Sequence, residues 1–175
     1  ELEDFCFGVE ICEDLWVPAP RSAQLAAAGA HIIANTSASN ETIGKREYRR
    51  MLVESQSARL LCGYIYADAG EGESTTDMVF SGHCLLAENG ITLAESEPFA
   101  GGITLSEIDV ERLSNERRRM ETYPSAETTG FEVVRFELPV RHVALTRRIS
   151  PYPFVPEQSH DREKRCEEIL SIQAY

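Results

Sequence analysis

Short apolar runs punctuated by glycine, proline and acidic residues set the pattern of this chain. The first run, Phe5 to Val9, leads straight into the acidic stretch Glu10-Ile11-Cys12-Glu13-Asp14-Leu15-Trp16. Its β-branched and aromatic content predicts a buried strand from Phe5 to Ile11. Pro18-Ala19-Pro20 closes the turn after it. Ser22 is placed to cap a short helix from Gln24 to Ala28, and Gly29 is a stop signal for that helix. A second buried strand, His31 to Asn35, runs into the polar loop Thr36 to Asn40. Between Lys45 and Leu61 the positions Tyr48, Met51, Leu52, Ser55, Ala58 and Leu61 recur at three and four. This predicts an amphipathic helix with Arg49, Arg50 and Glu54 facing water. Gly63 to Ala67 reads as a third strand.

The texture changes after a polar, glycine-rich loop from Gly70 to Asp77. Met78 to Ala87 and Ile91 to Ala94 flank Asn89-Gly90, a strong hairpin signal. Ile103 to Leu105 predicts another strand, Asp109 to Met120 a charged helix, and Phe131 to Phe136 a late strand by alternation. The order βαβαβ followed by an antiparallel pair predicts a layered α/β fold with a mixed sheet. Residues 1–148 form the body of this reading. Pro151, Pro153 and Pro156 make residues 149–160 a stiff, extended linker. In residues 161–175, Cys166, Ile169, Leu170 and Ile172 fall at helical spacing, as the first helix of a following domain would.

Composition narrows the partners. The 175 residues are 42% hydrophobic and 26% charged, an ordinary globular balance. A net charge of −12 repels phosphate backbones, so no nucleic acid and no anionic membrane is expected as a partner. No apolar run approaches the roughly 20 residues that span a bilayer, and no basic-then-apolar leader is present. The five cysteines are scattered, without a Cys-x-x-Cys pair, and the four histidines show no ligand spacing. No metal site is expected, and a reduced, cytoplasmic setting fits the free thiols. The chain begins at Glu1 and stops within a helical pattern, so it is expected to be part of a longer protein.

Cys12 carries the candidate chemistry. A thiol at the point where a strand enters a turn is presented at the sheet edge, as a nucleophile requires. Glu10, Glu13 and Asp14 surround it in sequence, and anions raise a thiol pKa, so reactivity calls for a nearby cation. The strand–turn context alone leaves an inert buried thiol equally open. The 70–77 loop lacks the Gly-Lys-Ser/Thr ending of a phosphate loop and carries two glutamates. His83, between Gly82 and Cys84 in a strand pattern, reads as a satisfied core histidine.

Five stretches together carry a resemblance: Gly8 to Trp16, Asn35 to Asn40, Gly44-Lys45, Ser55 to Ala58, and Gly70 to Asp77. In order and spacing they resemble the glutaminase domain of the glutamine-dependent NAD synthetases, within the nitrilase (carbon–nitrogen hydrolase) superfamily. The resemblance runs to about Arg148, and the linker and final helix resemble the join to an ATP-dependent synthetase domain. It implies a nitrilase-like four-layer α-β-β-α sandwich, incomplete at the N-terminus, and a Glu-Lys-Cys triad. Cys12 matches the nucleophile, while the triad glutamate and lysine lie upstream of the cysteine in the family and have no counterpart here.

By the same resemblance Lys45 and Ser39 contact glutamine, and Glu13 and Trp16 line its pocket. Glutamine is then hydrolysed through a cysteine thioester. The Glu13 N–H and the upstream lysine serve the oxyanion. The ammonia amidates deamido-NAD in the synthetase domain of the same polypeptide, which uses ATP and Mg. No cofactor is implied for the glutaminase domain, and a large homo-oligomer is. This chain alone is expected to be inactive. A free-standing amidase of the same superfamily and a non-catalytic assembly module are the alternatives.

Overall fold

Glu10, Asn35, Tyr64 and Tyr66 are polar or hydroxylated residues, yet all four are buried against one sheet. The computed structural model describes residues 5–139, 141–152 and 154–175. The chain divides into two units, Glu1–Val143 and Ala144–Tyr175.

In the first unit, strand β1 (Phe7–Ile11) passes through a 3-10 turn (Cys12–Leu15) and helix α1 (Arg21–Ala27) to β2 (Ile32–Ser37). Helix α2 (Lys45–Leu60) then leads to β3 (Gly63–Asp68), and a hairpin of β4 (Cys84–Glu88) and β5 (Ile91–Glu95) completes the sheet. Helix α3 (Val110–Arg119) follows. The strands lie in the order β1-β2-β3-β4-β5. The first three are mutually parallel, and β4 and β5 run antiparallel. This is the mixed α/β arrangement the pattern predicts, with helices α1 and α2 forming the crossovers between the parallel strands.

Register explains the burial. Gly8 and Glu10 of β1 sit beside Ile33 and Asn35 of β2, which sit beside Tyr64 and Tyr66 of β3, then Ala87 and Leu85 of β4. Side chains alternate between faces, so these eight share one face, and Val53 and Leu52 of α2 and Leu25 of α1 cover it. Gly8 is needed for this: a Cβ there would lie 2.9 Å from Leu25 Cδ2. The opposite face of β1 shows Phe7, Val9 and Ile11 to the exterior. Asn89 and Gly90 both adopt positive φ, at 46° and 83°, the turn pair that matches strand twist in a tight hairpin.

Four expectations are corrected. Pro20, not a serine, occupies the N-cap of α1, and Ser22 lies buried inside the helix. Arg49 is fully buried, whereas Tyr48 and Met51 are about half exposed. The α2 face is rotated because Arg49 finds carboxylates under the helix, an interaction that hydrophobic periodicity does not register. The hairpin arm starts at Cys84 rather than Met78. Neither Ile103 to Leu105 nor Phe131 to Phe136 forms a strand, and Ile103 and Leu105 are largely exposed. Alternation gives a segment the capacity to be a strand, but only a ladder partner makes it one.

The second unit contains α4 (Ser159–Ala174), which has no buried residue. Arg148 pairs with Glu157 at 2.9 Å, and Arg165 Nη1 donates to the Phe154 carbonyl. Among the described residues no helix is long and apolar enough to cross a membrane.

Helix α2 is fastened to β5 through Glu95, whose carboxylate accepts from Arg50 Nη2 at 2.6 Å, from Arg46 Nε at 3.1 Å and from His83 Nε2 at 2.8 Å. Burial alone would raise its pKa, but the bonds from Arg50, His83 and Arg46 win and pull it from 4.5 down to about 2. Because the folded pKa is depressed, this stabilisation is full above pH ~4.5 and is lost as pH falls towards ~2. Urea titrations across that interval are expected to show a falling unfolding free energy, with a visibly flatter dependence in Glu95→Gln.

Candidate active site

The site grows from the junction of β1 and the 3-10 turn. Cys12 begins the turn at φ 50°, a left-handed conformation that a non-glycine residue adopts at a cost of roughly 1–2 kcal/mol. Its main chain is gripped from β2. Cys12 N–H donates to Asn35 Oδ1 at 3.1 Å, and Asn35 Nδ2 donates back to the Cys12 carbonyl at 3.3 Å. A backbone N–H can only donate, so the amide orientation follows from the chemistry. The thiol is partly exposed and unpaired in any disulfide.

Beneath Asn35 lies the Glu10 carboxylate, 1% exposed. It accepts from the Ser22 N–H of α1 at 2.6 Å, from Asn35 Nδ2 at 3.4 Å and from the Tyr64 hydroxyl of β3. Burial and the adjacent Glu10 carboxylate push the Tyr64 pKa far up, which keeps the phenol protonated as a donor. Gln56 of α2 donates to Ser22 Oγ at 2.9 Å and ties the second helix to the cluster. Two of the three carboxylates flanking Cys12 in sequence are therefore committed. Glu10 serves this cluster, Asp14 accepts from the Ile11 N–H at 2.9 Å, and Glu13 is exposed.

A second group forms where α2 begins. Lys45 Nζ donates to the Asn40 carbonyl at 2.6 Å and to Asn40 Oδ1 at 3.0 Å, and lies 5.4 Å from the centre of the Trp16 ring. Trp16 stacks on Tyr48 at 5.4 Å and 28°. Ser39, beside Asn40, is buried, and its N–H donates to Asp68 Oδ1 at 2.8 Å. The structure thus brings Trp16, Lys45 and the Ser39-Asn40 loop together. Among the described hydrogen bonds and ring contacts, none joins Cys12 or Glu13 directly to Ser39 or Lys45.

Behind Ser39 runs a buried ionic chain. Arg49 pairs with Glu41 at 3.1 Å and with Asp68 at 3.6 Å, and lies over the Tyr66 ring at 5.5 Å. Its Nη1 also meets His83 Nδ1 at 2.9 Å. An arginine cannot accept, so Nδ1 is the acceptor and the His83 proton sits on Nε2, facing Glu95. Burial and Arg49 lower the His83 pKa, against the pull of Glu95. His83 is a satisfied core histidine, as its sequence context indicates.

Asn35, Tyr64, Arg49 and Asp68 are the members of this assembly that residue-type reasoning passes over. Their signal is polar side chains at inward-facing positions of strands and helix, legible only once the register is known. Among the described residues no group of three or more His, Cys, Asp or Glu side chains is placed to hold a metal ion. The 70–77 loop borders a separate cavity of about 420 Å³ lined by Gly70, Ser74, Phe80 and Phe99.

The fold of this chain is similar to that of solved carbon–nitrogen hydrolases. The solved structure of Saccharomyces cerevisiae Nit3, a member of branch 10 of the nitrilase superfamily, is similar over 71% of this chain and 44% of its own, with 23% identity and a TM-score of 0.55. A carbon–nitrogen hydrolase from Helicobacter pylori is similar over 65% of this chain and 43% of its own, with 22% identity and a TM-score of 0.54. No protein-family model matches the chain. The glutamine-dependent NAD(+) synthetase of Mycobacterium bovis is 43% identical over 183 aligned positions, which cover 99% of this chain and 27% of that protein. The chain is thus a homologue of one segment of the glutamine-dependent NAD(+) synthetases, about a quarter of the length of the curated relatives it matches. The resemblance read from the five motif stretches holds.

Two stability measurements follow. Because Cys12 is left-handed, Cys12→Gly is expected to be more stable than Cys12→Ala by roughly 0.5–1 kcal/mol in chemical denaturation. Arg49→Ala leaves Asp68 and Glu41 without their buried cation and is expected to cost about 3–5 kcal/mol in the same assay.

Proposed function

We propose that this segment is the glutaminase part of a glutamine-dependent NAD synthetase, with Cys12 as its nucleophile. The observation that carries the reading is Cys12 itself: a partly exposed thiol held left-handed at a strand end, in a chain homologous to those synthetases. In this proposal the Cys12 thiolate attacks the glutamine carboxamide carbon. A tetrahedral oxyanion forms, ammonia leaves, and the resulting thioester is hydrolysed to glutamate and free thiol. The Glu13 N–H, in the first turn of the short helix where amide hydrogens lack helical acceptors, is the proposed oxyanion donor.

Ser39 and Lys45 are proposed to hold the glutamine, with Glu13 and Trp16 lining the pocket. The grouping of Lys45 with Trp16 and of Asn40 with Lys45 supports this, because it places a cation and an aromatic wall next to the Ser39 loop. A carboxylate-bearing substrate suits such a cation. The released ammonia is proposed to reach an ATP- and Mg-dependent synthetase domain of the same polypeptide, within a homo-oligomer. Five free cysteines suit a reducing cytoplasm.

The test is covalent capture. A diazo-ketone analogue of glutamine is expected to add once to the complete polypeptide, at Cys12, by intact-mass and peptide analysis. Cys12→Ala is expected to lose both the adduct and glutamine hydrolysis while retaining the fold. Hydrolysis that survives Cys12→Ala would overturn the assignment.

A further inference from the structure

We propose that Asn35 is a positioning residue for the Cys12 nucleophile, and that the buried Glu10–Tyr64 pair holds Asn35 in the orientation the task requires. The inference rests on the glutaminase reading above and adds to it the device that aims the thiol.

The argument begins with the conformation of Cys12. At φ 50° the Cα–Cβ bond points where a right-handed or extended backbone would not send it, so the direction of Sγ depends on keeping that angle. Strained backbone persists only where its surroundings over-determine it. Here the determinant is one amide side chain that takes both main-chain polar groups of the same residue, the N–H through Oδ1 and the carbonyl through Nδ2. Asn35 projects from the inward face of β2, one strand away, and is 1% exposed. Its placement is fixed by the sheet rather than by the turn it grips.

An amide that grips in this way must not flip, because a flip would set N–H against N–H and carbonyl against carbonyl. Ser37 Oγ donates to Asn35 Oδ1 at 2.7 Å, and Nδ2 faces Glu10 Oε1 at 3.4 Å and Tyr64 Oη at 3.3 Å. Every neighbour on the oxygen side is a donor, and on the nitrogen side each can accept. Glu10 is held in turn by the Ser22 N–H and the Tyr64 hydroxyl, and both are buried. A buried carboxylate satisfied by three elements is placed to polarise and lock the amide above it. Among the described hydrogen bonds, Asn35 reaches the Cys12 N–H and carbonyl and none of these groups bonds Sγ, so the proposed effect on chemistry passes through the angle of Cys12.

Loss of the grip lets Cys12 relax to an ordinary negative φ and swings Sγ off its line of attack. Misplacement of a reacting atom by about 1 Å costs on the order of 100-fold in rate. Residues that bind the substrate elsewhere are unmoved, so KM changes little.

The experiment compares Asn35→Ala, Tyr64→Phe and Cys12→Ala in the complete polypeptide, with glutamine hydrolysis measured per folded molecule. The electrophile-labelling rate at Cys12 is followed by intact mass. Expected are a kcat for Asn35→Ala lower by about 100-fold, a KM within threefold of the parent, and labelling slowed in step with kcat. Tyr64→Phe, which leaves the grip in place but removes a lock, is expected to lose about 3- to 10-fold in kcat alone. A folded Asn35→Ala with parental kcat and labelling rate would overturn the proposal, as would a rise in KM with labelling unchanged. If Asn35→Ala does not fold, Asn35→Ser, whose shorter side chain cannot hold both the Cys12 N–H and its carbonyl, decides: parental kcat and labelling rate there overturn the positioning role, and parental kcat in Tyr64→Phe overturns the lock. Cys12→Ala separates the two readings, since activity there overturns the nucleophile, whereas its absence beside an unaffected Asn35→Ala overturns only the positioning.

Discussion

A carboxylate buried on the parallel strands of the mixed sheet is the constraint on which this site depends. Glu10 is almost wholly withdrawn from water, and an unpaired carboxylate there would be far too costly to keep. The fold meets that demand from three directions, with a main-chain N–H from α1, a phenol from β3 and an amide from β2. Each donor belongs to a different element, so satisfying Glu10 fixes α1, β2 and β3 relative to β1. The same amide then reaches up to Cys12. The electrostatic requirement of one residue is thereby converted into the backbone geometry of another two positions along the chain.

A second buried charge does similar work beside β3. Arg49 enters from α2 and meets Glu41, Asp68 and His83. Asp68 spends its other oxygen on the Ser39 N–H, so the loop that the proposal gives to glutamine is anchored by an ion pair beneath it. Burial raises the Asp68 pKa while Ser39 and Arg49 pull it down, a balance typical of a carboxylate held by few donors. Removing a partner from such a pair costs more than the pair itself contributes. Both clusters share α2, through Gln56 in one and Arg49 in the other, and this explains why that helix buries polar residues where a simple amphipath would bury leucine.

Much of this was legible beforehand. The apolar runs located β1, β2 and β3, Asn89-Gly90 located the hairpin, and Asp109 marked the start of α3, where its side chain accepts from the Arg112 N–H. The position of Cys12 at the end of β1 is legible for the same reason, although its strand–turn context alone leaves an inert thiol as open as a nucleophile. The misreadings share one cause. Hydropathy treats Arg49 as a surface residue and Tyr48 and Met51 as core residues, so it phases α2 wrongly when a buried charge has partners. It also promotes Ile103 to Leu105 and Phe131 to Phe136 to strands, because local alternation carries no information about whether a neighbouring edge is available.

Apolar runs and turn residues are enough for β1 to β3, the hairpin turn, the mixed α/β class and the resemblance to the synthetases, because these depend on local propensity and on residue type in order. Only the tertiary structure decided which polar side chains face inward together, how Asn35 grips Cys12, and why Arg49 is buried. Those outcomes depend on strand register and helix rotation, which set residues 23 to 54 positions apart within hydrogen-bonding distance of one another. Contacts that distant in sequence are selected by the energy of the whole packed core, and no local window of residues contains that energy.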